Sequence, residues 1–245
     1  MFRIGTLAAL GALLGAMTLT TAPAQAARGG GGGTFILGLG GGVVSNTQEH
    51  MNTLITRANT RANGITSGQL NQSYEGAVQI GYRFSGSMIA ALLRPSLTYQ
   101  SATGGNAAGQ PYNYKVMGMT LFPMLRLYPL ENDLMRFFMQ FGIGYGRTSG
   151  TIEEADAKVE FSGGAYGTVA GLGAEFCYEG THCFTLEGNY RYMTVERNIS
   201  DSTTGTFASG SVSQVAQNQE VEMDGTDLAT RLGGTQFLLG YSFYF

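Results

Sequence analysis

The chain has no tryptophan, five prolines, two cysteines and two histidines among 245 residues, and only 13% of them are charged. Two cysteines are too few for a disulfide-scaffolded miniprotein or an all-cysteine zinc site. Five prolines and no Gly-x-y period exclude collagen-like structure. Positive charge is also scarce: 14 Lys and Arg face 17 Asp and Glu, a net charge of −3. That balance argues against a broad nucleic-acid-binding surface. Beyond residue 27 no stretch approaches the ~18 apolar residues of a transmembrane helix. What is abundant is glycine, 38 residues, which excludes a helical bundle or coiled coil. A hydrophobic share of 43% excludes wholesale disorder. One domain is expected, since all-β domains of this length are ordinary.

The first 26 residues read as an export signal. Arg3 supplies a positive start, Leu7 to Met17 an apolar run, and Ala24-Gln25-Ala26 a small-x-small cleavage site. Residues 27–33 then form a Gly-rich leader, and residues 34–245 are the folded domain. Within it, apolar and small or polar residues alternate over eight segments, roughly 33–44, 73–85, 88–101, 112–128, 135–147, 164–178, 183–195 and 230–245. The fifth is the clearest. Phe137, Met139, Phe141, Ile143 and Tyr145 share one face, while Arg136, Phe138, Gln140, Gly142, Gly144 and Gly146 share the other.

The segments run longer than the ~5–6 residues of a soluble strand and suffice for the ~9–11 tilted residues that cross a bilayer. Their connections alternate in length. Those at 85–87, 129–134 and 179–182 are short; those at 45–72, 102–111, 148–163 and 196–229 are long. Aromatic residues cluster at segment ends, with Tyr82, Phe84, Tyr128, Phe176, Tyr178 and Phe184 toward the short turns. Tyr74, Tyr99, Tyr145, Tyr166 and Tyr192 lie toward the long connections. Short turns on one side, long loops on the other and two aromatic girdles are the pattern of a transmembrane barrel. Lipid offers no partner to a free strand edge, so the sheet must close.

The expected fold is therefore all-β: an eight-stranded antiparallel transmembrane β-barrel with long outer loops and short periplasmic turns. The chain resembles the small eight-stranded outer-membrane barrels of Gram-negative bacteria, the class of OmpA-type transmembrane domains and opacity-like proteins with porin-like folds. The resemblance covers residues 34–245. Its sharpest motif is the C-terminal Phe237-x-Leu239-x-Tyr241-x-Phe243-x-Phe245, which is similar to the signal read by the barrel-assembly machinery in that family. The chain ends at Phe245, so no peptidoglycan-binding domain is expected after the barrel. The resemblance implies the bacterial outer membrane as the location, with both termini periplasmic, and outer-membrane lipid and lipopolysaccharide as surroundings.

An eight-stranded barrel has an interior that side chains can fill. Alternation places Glu75, Arg83, Arg94, Arg126, Arg136, Glu175, Glu187 and Arg191 inward, with Gln79, Gln140 and Gln236. Unpaired charges there would be costly, so a network of lumen ion pairs is expected. The alternative is that these charges line a narrow channel for small solutes or ions. Cys177 and Cys183 flank a short turn and are expected to form a disulfide in an oxidising compartment.

In the first long connection Asn46-x-x-Glu49 reads as a capping box. Met51, Leu54, Ile55, Ala58 and Ala62 follow as one apolar helical stripe, with Arg57 and Arg61 beside it and Gly64 as its stop. This helix is a candidate lid over the lumen, a rim element, or a surface lying on lipid. The acidic connections, with Glu153, Glu154, Asp156 and Glu160 in one and Glu196, Asp201, Glu220, Glu222, Asp224 and Asp227 in the other, read as solvated faces. No metal site and no cofactor is expected: Cys177, His182 and Cys183 lack a fourth ligand, and Asp224-Gly225-Thr226-Asp227 lacks the EF-hand spacing. A lipid-modifying barrel enzyme would need a Ser/His/acid set on the outer side. Only His50 is placed to meet Asp201 and Ser202, and nothing in the spacing requires it. The expectation is a structural or surface-interaction protein, with an unidentified surface ligand at most, and not an enzyme.

Overall fold

In the computed structural model, residues 33–61, 65, 67–213 and 215–245 are described. The export signal, the leader up to residue 32, Ala62 and Gly64 lie outside them. Seven long strands come first: β1 (Thr34–Ser45), β2 (Gln72–Arg83), β3 (Ile89–Gly105), β4 (Pro111–Glu131), β5 (Met135–Glu154), β6 (Ala157–Tyr178) and β7 (His182–Tyr192). A helix, α1 (Glu49–Arg61), lies between β1 and β2. After β7 come short strands β8 (Thr194–Val195), β9 (Ile199–Thr204), β10 (Glu222–Met223), β11 (Thr226–Asp227) and β12 (Thr230–Arg231), then the last barrel strand, β13 (Gly234–Tyr244).

Each long strand pairs antiparallel with the next, and β13 pairs with both β7 and β1. The ring of β1 to β7 and β13 is thus a closed eight-stranded barrel with no free edge in its wall. The outward residues form an apolar belt that includes Leu39, Ile80, Leu97, Met119, Leu121, Phe141, Ile143, Leu172, Tyr190 and Leu239, all exposed. On β5 the belt runs from Phe137 to Tyr145. Nine residues cover roughly 27 Å of strand, and a tilt of roughly 40° leaves about 21 Å along the barrel axis, close to an outer-membrane belt. Tyr74, Tyr99, Tyr145, Tyr166 and Tyr192 are all exposed at the long-loop end of the belt. Tyr128 is not part of the opposite girdle. It is 1% exposed, because it shares the inward face of β4 with Arg126.

The barrel is taller on one side. β1, β2, β7 and β13 have 11 or 12 residues, whereas β3 to β6 have 17, 21, 20 and 22. Two expected long loops are therefore corrected. Residues 102–111 are the ends of β3 and β4 around a tight turn in which Asn106 Oδ1 accepts the amides of Ala108 and Gln110. Residues 148–163 are a regular hairpin of β5 and β6, turned at Ala155 and Asp156 with Ala155 at φ 55°. Polar residues there continue the alternation instead of breaking it, because the alternation changes sign.

Within the belt, the outward side chains are apolar, while the inward ones mix polar and small residues with buried Leu92, Phe122, Met124 and Phe138. Above it the faces exchange roles. Tyr114, Val116, Ile152, Val159 and Phe161 point inward and are buried, while Asn113, Lys115, Thr151, Lys158 and Glu160 point outward. The exchange occurs at the paired row Met117, Ser149 and Ser162. The upper wall is thus built like a soluble sheet, with its apolar face covered by α1 and the β9–β12 segment.

Candidate functional site

The lumen is crossed by interlocked charges. Arg126, fully buried, donates to Glu175 at 2.7 Å and to Glu187 at 2.8 Å. Arg94 reaches the other oxygen of Glu187 at 2.6 Å. Gln79 and Gln140 each donate to Glu187 at 2.9 Å and accept from Arg126, and Asn189 donates to Glu187 at 3.2 Å, so the carboxylate has five donors around it. The Arg126 guanidinium also lies 3.8 Å from the centre of the Phe138 ring. These groups come from β2, β3, β4, β5, β6 and β7 and bridge the lumen from wall to wall. Toward the long-loop end, Arg191 contacts Glu75 at 3.2 Å and the Leu232 carbonyl at 2.6 Å, and Gln236 donates to Glu75 at 2.6 Å.

The short-turn end has its own cluster. Glu131 takes Arg83 at 2.8 Å and lies 3.2 Å from Arg136 Nε. The Arg83 and Arg136 guanidinium groups lie 4.6 and 4.7 Å from the ring centres of Tyr128 and Tyr244. Tyr128 and Tyr244 share a hydroxyl contact at 2.9 Å, and both donate to Glu175. Glu131 is invisible to strict alternation. A bulge between Leu127 and Leu130 shifts the register of β4 and turns Glu131 to the inward face, opposite Arg136. Tyr128 and Tyr244 were legible, since each follows an inward residue by two. Cys177 and Cys183 are directly opposite each other on β6 and β7, buried and disulfide-bonded.

The eight inward charges singled out in the sequence thus fall into three clusters: Arg94, Arg126, Glu175 and Glu187 in the central network, Arg191 with Glu75 toward the long-loop end, and Arg83 and Arg136 with Glu131 at the mouth. Gln79, Thr185, Glu187 and Ser242, with the inward glycines Gly38, Gly40 and Gly240, border a void of about 20 Å³. That is room for about one water molecule.

The long-loop end is a packed cap. Met51, Leu54, Ile55 and Ala58 of α1 are fully buried against Tyr114, Val116, Ile152, Val159 and Phe161 of the upper wall. Phe207, Val212, Val215, Val221, Met223 and Leu228 of the last connection complete this core. The helix therefore lies in the concave upper wall and not on lipid. Its cap differs from the expected one. The helix starts at Glu49, and Asn46 uses its side chain to hold the Arg231 carbonyl at 3.1 Å. Gln48 occupies the cap position and brackets the Arg231 backbone, donating at 2.6 Å and accepting at 2.9 Å. Arg61 pairs with Glu154 at 2.9 Å, and Tyr114 donates to the same carboxylate at 2.9 Å. Burial and the neighbouring Glu154 carboxylate hold the Tyr114 hydroxyl far above its ordinary range. Arg57 pairs with Asp224 at 2.6 Å, and this hydrogen bond lowers the Asp224 carboxyl below its ordinary value.

His50 Nδ1 accepts the Ala229 amide at 3.1 Å. Asp201 instead accepts from Ser162 at 3.0 Å, and Ser202 donates to Glu160 at 3.1 Å, so the three groups are not assembled into a triad. His182 contacts the Tyr241 hydroxyl on the outward face at the short-turn end, away from the disulfide. Glu220, Glu222 and Asp227 lie close together, and Arg197 already pairs with Glu220 at 2.9 Å and with Asp227 at 3.3 Å.

No protein-family model matches the sequence, and no curated protein is significantly similar to it. Solved structures are similar in fold. The outer membrane protein OprG from Pseudomonas aeruginosa superposes with a TM-score of 0.50 at 14% identity, over 89% of this chain and 98% of that one. Neisserial surface protein A matches with a TM-score of 0.42 at 8% identity, covering 86% of this chain and 97% of that one. Ail, the attachment invasion locus protein of Yersinia pestis, matches with a TM-score of 0.35 at 11% identity, covering 87% and 99%. The fold is that of the small eight-stranded outer-membrane barrels.

Proposed function

We propose that this chain is an integral protein of the bacterial outer membrane whose side-chain-filled barrel anchors a packed, cell-exterior cap, with a structural or surface-interaction role. The observation that carries this reading is the filling of the barrel along its length. The mouth cluster, the Arg126 network and the apolar core under α1 follow one another along the barrel, and the void beside Glu187 holds about one water molecule. A belt of lipid-facing side chains and a closed wall support insertion. The Cys177–Cys183 disulfide supports an oxidising compartment outside the cytoplasm. The long-loop end then faces outward and the short turns face the periplasm. Phe237, Leu239 and Tyr241 point to the lipid side of β13, where the barrel-assembly machinery can read them.

Planar-bilayer conductance of the refolded chain tests the filled lumen. A folded barrel, confirmed by heat-modifiable gel mobility, is expected to be silent. Steady openings that change on Arg94→Ala or Glu187→Ala would replace this reading with a narrow channel.

A further inference from the structure

Twelve of the 14 basic residues are described, and ten of these are ion-paired. The two without a carboxylate within ion-pair distance are Lys115 and Arg147. Both point outward, on neighbouring strands β4 and β5. Both flank the row Met117, Ser149 and Ser162 at which the barrel faces exchange polarity. Arg147 lies opposite Met119 and one outward position above Tyr145, whose ring packs on Tyr166 at 5.3 Å. Lys115 lies opposite Thr151, on the water side of the row. Two unpaired cations thus straddle the edge of the apolar belt, where lipid headgroups lie.

We propose that this face holds one outer-leaflet lipid with two phosphate groups, Arg147 taking one and Lys115 the other. The proposal rests on the outer-membrane reading above. The register sets the two cations four residues apart along the strands, about 13 Å. That separation suits the two ends of a disaccharide headgroup better than one small phosphate. Beside Lys115 a depression of about 240 Å³ is lined also by Met117, Ser149 and Thr151, and by Glu160, Phe161 and Asp201. The two acids there are engaged already: Lys158 pairs with Glu160 at 2.5 Å, and Ser162 donates to Asp201. Ser149 and Thr151 leave outward hydroxyl groups beside the cations. Arg147 itself makes one long contact, 3.5 Å to Ser162 Oγ, so its guanidinium keeps donors for a phosphate. No ordering of a loop is needed, because every group stands on a barrel strand.

The test is a titration of the full chain, in detergent, with diphosphorylated lipid A, read by native mass spectrometry. One bound lipid is expected. Lys115→Ala with Arg147→Ala should weaken it roughly thirtyfold, about 1 kcal/mol for each cation. Lys115→Arg with Arg147→Lys should keep it. Monophosphorylated lipid A should fall between. Arg57→Ala with Arg231→Ala, which removes cap cations, should leave binding unchanged. Equal binding by the double alanine variant, with heat-modifiable mobility intact, would overturn the proposal while leaving the barrel reading standing. Displacement of the lipid by excess inorganic phosphate would show a free-phosphate site instead and also overturn it. Failure of the wild-type chain to insert into vesicles would overturn both readings together.

Discussion

Glu187 shows how a charge is kept inside a barrel. Its carboxylate receives two arginines and two glutamines, so desolvation is offset by donors on every side. Removing it would leave Arg94 unpaired and Arg126 half-paired. Glu187→Ala is expected to lower stability by about 3–5 kcal/mol in denaturant titrations of the vesicle-inserted barrel. Glu131→Ala should cost about 1 kcal/mol or less, since that side chain is 32% exposed and water can replace its partners. Equal costs would mean that the network does not bear on stability as its burial implies. Gly144 carries a different constraint. It faces inward, and a methyl group there would meet the Leu121 carbonyl and the Phe122 ring. Gly144→Ala should cost about 1–3 kcal/mol in the same titration, through overpacking.

Helix α1 owes its position to the upper wall. Its stripe is narrow, and a 13-residue helix is marginal alone in water. Burial of Leu54 and its neighbours supplies what propensity lacks. Leu54→Ala should loosen the cap by about 2–5 kcal/mol. Hydrogen exchange would show this as lost protection over Glu49–Arg61, with the belt strands unchanged. The Arg57–Asp224 pair adds a pH dependence of known sign. Arg57 lowers the folded carboxyl below its unfolded value of about 3.9, so the contact contributes fully above that value. The contribution is lost as pH falls through the lower, folded value. Helix protection should therefore weaken in acid in the wild type, and Asp224→Asn should remove that component.

At the scale of the whole molecule the distinctive feature is its inverted polarity. The lower half of the barrel is apolar outside, as lipid demands; the upper half of β3 to β6 is apolar inside, as water demands. One wall therefore serves two solvents, and the boundary falls at the Met117–Ser149–Ser162 row. The cap above it should face the cell exterior. A cysteine at Asp156, on the β5–β6 turn, should react with a membrane-impermeant maleimide on intact cells. One at Asp133, on a short turn, should react only after permeabilisation. The reverse pattern would invert the orientation. The native cysteines do not interfere, being bonded to each other.

Period-2 alternation and turn residues determined the number of barrel strands, their antiparallel order and all the inward charges of the lumen and mouth but Glu131, because each is a local consequence of strand geometry. The apolar stripe of α1 was equally local. Tertiary structure alone decided the rest. Residues 148–163 look like an acidic loop, and only the cover of α1 and the last connection makes an inward apolar face there worth forming. Glu131 joins the mouth through a bulge that breaks the parity on which sequence reading depends. Asn46 abandons its capping role because Arg231, 185 residues away along the chain, offers its carbonyl. A sequence states which way each side chain turns relative to its neighbours. Which solvent lies on that side is set by what else folds against the wall.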